Sequence, residues 1–404
     1  MSGPVQVLLI ANNFPPVRGG SSIVYANLAR FAQGKVMVVA PTIYYGDGLT
    51  LIGWREHDRL ANYPVVRVRL LRTTMEPLRG LVNRLLFRGR DMVLRLRVTA
   101  AVAWLLWRHR PQAVCVGELL ASGWLLRLLD FVPGLRTVVY VHGEEITTAD
   151  DYDLGYGRRR RALLAADRIV VVSRFTEQVV RELLGGEAAG RIRRIENGVD
   201  ITRFFPAPRD AELVSRYKLA GTFVFLSVCR LLEKKGIDHT LRAFAQILPA
   251  HPQLRYLVVG TGPYEAELQA LAQSLGVADA VIFAGSVLEH ELVQHYRLGD
   301  VFVMPNRALP NGDTEGFGLV FLEANACGVP VIAGQDGGST DAVTDGVNGL
   351  VVDGHRVTEV RDAMLRLLDD AALREQLTRQ GLEAARSAQW RSRAETFLHV
   401  CTGE

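Results

Sequence analysis

The sequence is poor in cysteine, and its four (Cys115, Cys229, Cys327 and Cys401) stand far apart with no CxxC spacing. That excludes a disulfide framework and a cysteine zinc site, and reads as buried or incidental thiols in a reducing compartment. Long apolar runs are missing as well. The most apolar stretch, residues 98–107, is about half the length of a membrane span. No charged segment followed by an apolar one opens the chain, since residues 5–11 read as a first strand, so a cytoplasmic protein without a span is expected. Neither sign of charge dominates, with 47 Lys and Arg against 43 Asp and Glu. There is no Walker loop and no GxGxxG fingerprint, which argues against a P-loop enzyme or a dehydrogenase. No helix-turn-helix, finger or RNA-binding signature is present, and nucleic acid is excluded as a partner on that ground.

At 404 residues the chain is too long for one ordinary core, and two domains are expected. Short apolar strands alternate with helical stretches in both halves. Residues 5–11, 36–40, 113–116, 137–141 and 168–172 read as buried strands, with helices over 21–32 and 119–129. In the second half the strands are 223–228, 255–259, 281–284, 301–304 and 330–333. This alternation predicts an α/β protein with two doubly wound parallel sheets. The proline-rich 205–210 stretch is the expected linker. The domains are then 1–205, 206–380, and a C-terminal helix over 381–404 that crosses back, with Trp390 as its anchor. Open parallel sheets bind ligands at the carboxyl ends of their strands, so the expected site is the cleft between two facing sheets.

The turns after those strand ends hold the chemistry. Gly19-Gly20 stand just before a helix, where backbone N–H groups can approach a phosphate. His142-Gly143 close another strand, and His142 is positioned to donate a hydrogen bond to a hydroxyl group or to act near a reacting carbon. Asp150, Asp151 and Asp153 suggest a divalent metal but read better as a helix-start cluster. Arg230 and Lys235 leave the first strand of the second half as a cationic pair for a diphosphate, which makes a metal unnecessary. Gly260-Thr-Gly262 follows the next strand, and Ser286-Val287 after another could offer backbone groups to a base. Finally Glu315 and Glu323 flank a Gly316-Phe-Gly318 turn and the start of a helix at Leu319. A helix start attracts anions, so two carboxylates beside it need hydroxyl groups on the same ligand, as in a phosphorylated sugar.

These stretches, together with Ser173 to Thr176, Asn197 to Asp200 and Gly337-Gly338, resemble a retaining glycosyltransferase of family 4 on the GT-B fold, in the family's order across nearly the whole chain. The Met304 to Gly338 stretch is similar to bacterial mannosyltransferases acting on phosphatidylinositol lipids. The resemblance implies that Glu323 binds the nucleotide ribose and that Glu315 contacts the transferred sugar. It implies that backbone amides around Gly316, Phe317, Gly318 and Leu319 hold sugar and diphosphate. Arg230 and Lys235 stabilise the departing diphosphate, Gly20 lies where the first domain closes on it, and His142 contacts the donor sugar on the acceptor side. Proline often follows the first glutamate in the family, whereas here Gly316 does. The implied donor is a GDP- or UDP-sugar, with mannose favoured, and no cofactor or metal. The implied acceptor is a lipid-linked molecule or a glycan. A sugar-nucleotide epimerase of the same fold and a non-catalytic nucleotide-sugar-binding protein are the rival readings.

One further stretch is unusual. Eleven arginines stand between residues 65 and 110, against only Glu76 and Asp91, with Leu85, Leu86, Phe87, Val93, Leu94 and Leu96 interleaved at helical spacing. A basic, apolar helix suits an anionic membrane surface, here the inner face of the cytoplasmic membrane.

Overall fold

A computed structural model describes residues 4–17, 19–74, 81–148 and 156–403. The chain divides into two compact units. Unit 1 comprises residues 1–172, 176–195 and 390–404, and unit 2 comprises 173–175 and 196–389.

Unit 1 holds a seven-stranded parallel sheet: β1 (Val7–Ile10), β2 (Val36–Pro41), β3 (Val65–Val68), β4 (Ala113–Val116), β5 (Arg136–Val141), β6 (Arg168–Val171) and β7 (Ile192–Arg194), in the order β3-β2-β1-β4-β5-β6-β7. The order reverses between β1 and β4, which opens a crevice at their carboxyl ends. Strands buried on both faces read as continuous apolar runs, and β1 (VLLI) and β4 (AVCV) are fully buried. On one face Leu8, Ile10, Val39 and Val114 pack against Val98, Val102 and Leu105 of the Leu81–His109 helix. The Trp390–Thr402 helix also belongs to unit 1: Trp390 is buried and Phe397 meets Tyr140 of β5 at 6.0 Å.

Unit 2 holds β8 (Phe223–Val228), β9 (Leu254–Val259), β10 (Val281–Gly285), β11 (Val301–Met304), β12 (Val331–Gly334) and β13 (Gly349–Val352), all parallel, in the order β10-β9-β8-β11-β12-β13. Its reversal lies between β8 and β11.

Several local expectations are corrected. The 205–210 stretch is not a free linker but is built into unit 2. Asp210 caps the Ala211–Arg216 helix by accepting the Leu213 N–H, Arg297 lies over the Phe205 ring at 4.4 Å, and Arg209 pairs with Asp300 at 2.6 Å. The 119–129 helix is broken into Leu119–Ser122, a 3₁₀ turn Gly123–Leu125, and Leu126–Leu129. A Cβ at Gly123 would stand 3.0 Å from the Ala162 methyl, so glycine permits a close contact while weakening the helix. Asp150, Asp151 and Asp153 lie outside the described residues, as do Glu76 and Arg79. No helix among the described residues is long and apolar enough to cross a membrane.

Candidate active site

In unit 1 the polar residues gather at the carboxyl ends of β1, β4 and β5, beside the crevice. Asn12 and Asn13 follow β1. Gly19 and Gly20 begin the Gly20–Phe31 helix, and nothing stands within 4 Å of where a Cβ on either would lie, so the backbone there is open to approach. That helix directs Tyr25 over Gly117 at the end of β4, where a Cβ would come 2.7 Å from the phenol ring. The Tyr25 hydroxyl donates to the Gly117 carbonyl. His142 Nε2 lies 2.7 Å from the same hydroxyl oxygen.

This arrangement assigns the tautomer of His142. The one phenol proton goes to a carbonyl that has none to give, so the phenol oxygen accepts the Nε2–H of His142. Burial pushes the imidazole pKa down to about 3, so the ring is neutral and Nδ1 is a bare acceptor. His142 therefore spends its N–H on the Tyr25 hydroxyl, and Nδ1 is the nitrogen left to accept. Its ring stacks on Tyr140 at 5.0 Å. Glu145 steadies the turn by accepting the backbone N–H groups of His142 (2.7 Å) and Gly143 (3.1 Å). Glu118 accepts from the Asn13 N–H at 2.6 Å and the Asn12 side chain at 3.2 Å. Burial raises both carboxyls to about 7 despite these bonds.

In unit 2 the loops leaving β8 and β11 are tied together by charge. Lys234 and Lys235 end a 3₁₀ turn, and Gly236 follows at φ 73° to start the Ile237–Ile247 helix. A Cβ on Gly236 would overlap the Pro305 carbonyl, so the two loops abut there. Lys234 Nζ pairs with Asp313 at 2.6 Å and donates to the Thr314 carbonyl at 3.2 Å. Lys235 pairs with Glu315. Burial pushes the Glu315 carboxyl up, but Lys235 and Lys234 outweigh it and hold it below the usual range. Arg307 braces the same loop through a buried two-bond contact with Asp238, at 2.8 and 3.2 Å. Arg230 is exposed and makes no ion pair among the described residues.

Beyond Glu315, the Gly316 to Leu319 turn enters the Leu319–Ala326 helix through Gly318 at φ 88°. Gly338 donates its N–H to the Glu315 carbonyl at 2.8 Å, and a Cβ on Gly337 or Gly338 would strike the Glu315–Gly316 backbone. Glu323 is nearly buried and accepts a hydrogen bond from Tyr296 at 2.6 Å. Unit 2 therefore brings Lys235, Glu315, the 316–319 turn and Glu323 together. At Gly262 a Cβ would overlap the Leu231 backbone, so this glycine packs one loop on another. Ser286 and Val287 follow the edge strand β10, exposed and half-buried respectively. Tyr25, Glu118, Glu145, Lys234, Asp313 and Tyr296 were missed from sequence. Of these only the Lys234-Lys235 and Asp313-Thr-Glu315 spacings carried a readable signal. Among the described residues no cluster of acids, histidines or cysteines could hold a metal ion. A shallow depression of about 490 Å³ beside Arg136 and Arg168 opens at the amino ends of β5 and β6, the opposite end of that sheet from the polar residues of unit 1.

Residues 49–203 match the model described as Glycosyltransferase Family 4, and residues 212–384 match Glycosyl transferases group 1. The GDP-mannose-dependent alpha-(1-6)-phosphatidylinositol monomannoside mannosyltransferase of Mycolicibacterium smegmatis is 32% identical over 98% of this chain and 98% of its own length. The chain belongs to glycosyltransferase family 4. The D-inositol 3-phosphate glycosyltransferase of Acidothermus cellulolyticus is 39% identical over 58% of this chain and 53% of its own. In fold, this glycosyltransferase is similar to Anabaena HepE solved with UDP and glucose, at a TM-score of 0.76 and 20% identity over 99% of this chain and 100% of the other. The fold is GT-B.

Proposed function

We propose that this enzyme moves a hexose from a nucleoside-diphosphate sugar to a lipid-linked acceptor at the inner face of the cytoplasmic membrane, with retention at the anomeric carbon. The relative of M. smegmatis, aligned over nearly the whole chain, favours mannose from a GDP donor. The observation that carries the reading is the cluster in unit 2: one free arginine, one lysine paired with Glu315, and the near-buried Glu323 beyond a glycine turn.

In this reading Glu323 accepts from the ribose hydroxyls and Glu315 from the hydroxyls of the transferred sugar. Arg230, Lys235 and the N–H groups of the 316–319 turn take up the charge of the diphosphate. The bond from C1 to the diphosphate breaks, and the diphosphate leaves with the electron pair. The acceptor oxygen bonds to C1 from the same face, and its proton passes to the departing phosphate oxygen. Stabilising the leaving charge by fixed donors and cations is the main catalytic device. No metal is needed for it. Within unit 1, His142 offers Nδ1 as an acceptor for a hydroxyl group, and the open backbone at Gly19-Gly20 offers N–H donors.

The Leu81–His109 helix supports a membrane surface as partner. One face is buried through Val98, Val102 and Leu105. The opposite face carries Leu85, Met92, Leu96 and Trp107 at steps of seven, four and eleven residues, all more than half exposed, with Trp107 at 72%. Such spacing lines one side of a helix. Arg88 and Arg95 fall on one flank of that stripe, and Arg90, Arg97 and Arg108 on the other, which is the pattern of an interfacial helix.

A thermal-shift panel of GDP, UDP, ADP and their sugars tests the donor, because a ligand that binds only the folded state raises its melting point. GDP and GDP-mannose are expected to give the largest shifts. A larger shift with a uridine donor would replace mannose, and none with any nucleotide would sink the reading.

A further inference from the structure

Tyr296 ends a short helix (Leu292–Tyr296) and is fully buried. Its ring lies edge-on to Phe204 at 5.7 Å and stacks on Phe302 at 6.1 Å. Phenylalanine would fill that aromatic cluster equally well. Among the described residues the hydroxyl makes one hydrogen bond: it donates to Glu323 Oε2 at 2.6 Å. Glu323 in turn is only 7% exposed, has no ion pair among the described residues, and has no other protein donor there. A lone acid–phenol pair taken out of water is poor stabilisation, since an apolar pair of the same shape would serve as well or better. A feature that breaks the local rule without a structural gain points to a ligand.

We propose that Tyr296 is a positioning residue: its hydroxyl fixes one carboxylate oxygen of Glu323 and thereby aims the other at the vicinal diol of a nucleotide ribose. The inference rests on the reading of unit 2 as the donor half. Without the hydroxyl, the carboxylate gains rotational freedom and loses the one bond that favours its charged form. Burial holds the Glu323 carboxyl at about 7, and the Tyr296 bond acts downward on it. Donor binding that needs the carboxylate is therefore lost as pH falls through that value, and removing the hydroxyl moves the loss to higher pH.

The test is calorimetric titration of the full chain with GDP and 2′-deoxy-GDP, and with UDP and 2′-deoxy-UDP, across neutral pH. The wild type should prefer the ribonucleotide by about tenfold or more, the scale of a lost bond to a charged acceptor. Glu323→Gln should erase that preference and its pH dependence. Tyr296→Phe should reduce the preference severalfold and move the acid limb upward, with an unchanged melting curve. Should Tyr296→Phe melt early, Phe204→Leu loosens the same cluster while keeping the hydroxyl, and it should retain the wild-type limb. Wild-type discrimination and limb in Tyr296→Phe, with both lost in Glu323→Gln, overturn the inference alone. Ribose preference surviving in Glu323→Gln, or absent from the wild type, overturns the ribose reading itself.

Discussion

Lys235 and Glu315 neutralise each other across two loops of unit 2, so the cation assigned to the diphosphate is already partnered. In the proposed reading the donor shares or displaces that bond, which frees Glu315 to accept from sugar hydroxyls. Lys235→Ala should cost roughly 10²-fold or more in kcat, the scale of a lost transition-state donor. It should also leave the buried Glu315 carboxyl with only the Phe317 backbone bond and the Lys234 charge to stabilise it. The Glu315 carboxyl is held low in the fold, so its stabilising contribution is present above its unfolded value and lost as pH falls. The unfolding free energy of Lys235→Ala at neutral pH should therefore be lower by about 1–3 kcal/mol, and Lys235→Ala/Glu315→Gln should recover most of the stability but none of the turnover. Restored turnover in the double variant would remove Lys235 from the chemistry.

The same cations bear on metal dependence. In the proposed reading Arg230 and Lys235 together offer the diphosphate two positive charges, which take the place of one divalent ion. Turnover should survive EDTA unchanged. Loss on chelation with recovery on adding magnesium or manganese would contradict this and return attention to Asp150, Asp151 and Asp153.

Unit 1 carries two carboxyls that titrate upward and a histidine that titrates downward, and the signs differ. Glu118 rises from 4.5 to about 7 on folding, so between those values the folded state holds more protons and stability declines as pH rises. His142 falls from 6.5 to about 3, so its contribution is lost as pH falls from 6.5. Glu118→Gln keeps an acceptor for the Asn13 N–H and removes the buried charge. It should raise stability above pH 7 by on the order of 1–3 kcal/mol, with the gain vanishing below the unfolded carboxyl value. Melting temperatures of the two proteins across that range decide it. A uniform shift at every pH would mean that packing, not charge, sets the change.

How legible was this in the sequence? Central strands such as β1 and β4 are apolar throughout because both faces are covered, and they were readable. The edge strands β3 and β7 were not, because Arg67, Arg193 and Arg194 break their pattern. Arg67 is nonetheless buried, bonded to Asp58 and to the Pro15 and Pro41 carbonyls, so its charge did not mean exposure. Glu315 and Lys235 stood out because they sit beside glycines in loops that follow strands, and Glu323 because it lies eight positions beyond Glu315 in the helix that starts at Leu319. Tyr296 and Tyr25 gave no signal. Their partners lie 27 and 117 positions away, and only the folded sheet brings them together.

The exposed stripe on the Leu81–His109 helix makes the last prediction. Sequence placed Leu85, Leu86, Phe87, Val93, Leu94 and Leu96 in one strip, but the fold splits it: Leu94 joins the core, while Leu85, Leu86, Val93 and Leu96 stay exposed beside Trp104 and Trp107. In the proposed reading the second, bare apolar face of this helix meets a further apolar phase, and its arginine flanks suit an anionic one. Each basic residue near such a leaflet contributes about 1 kcal/mol. Arg88→Gln, Arg97→Gln and Arg108→Gln together should then weaken binding to anionic vesicles by about a hundredfold. Trp104→Ser with Trp107→Ser should weaken it by removing the inserted rings, while nucleotide binding stays intact. Co-sedimentation with anionic vesicles should also decline as salt screens the charges. Equal recovery with neutral and anionic vesicles, or none with either, would leave an acceptor free in solution as the better reading.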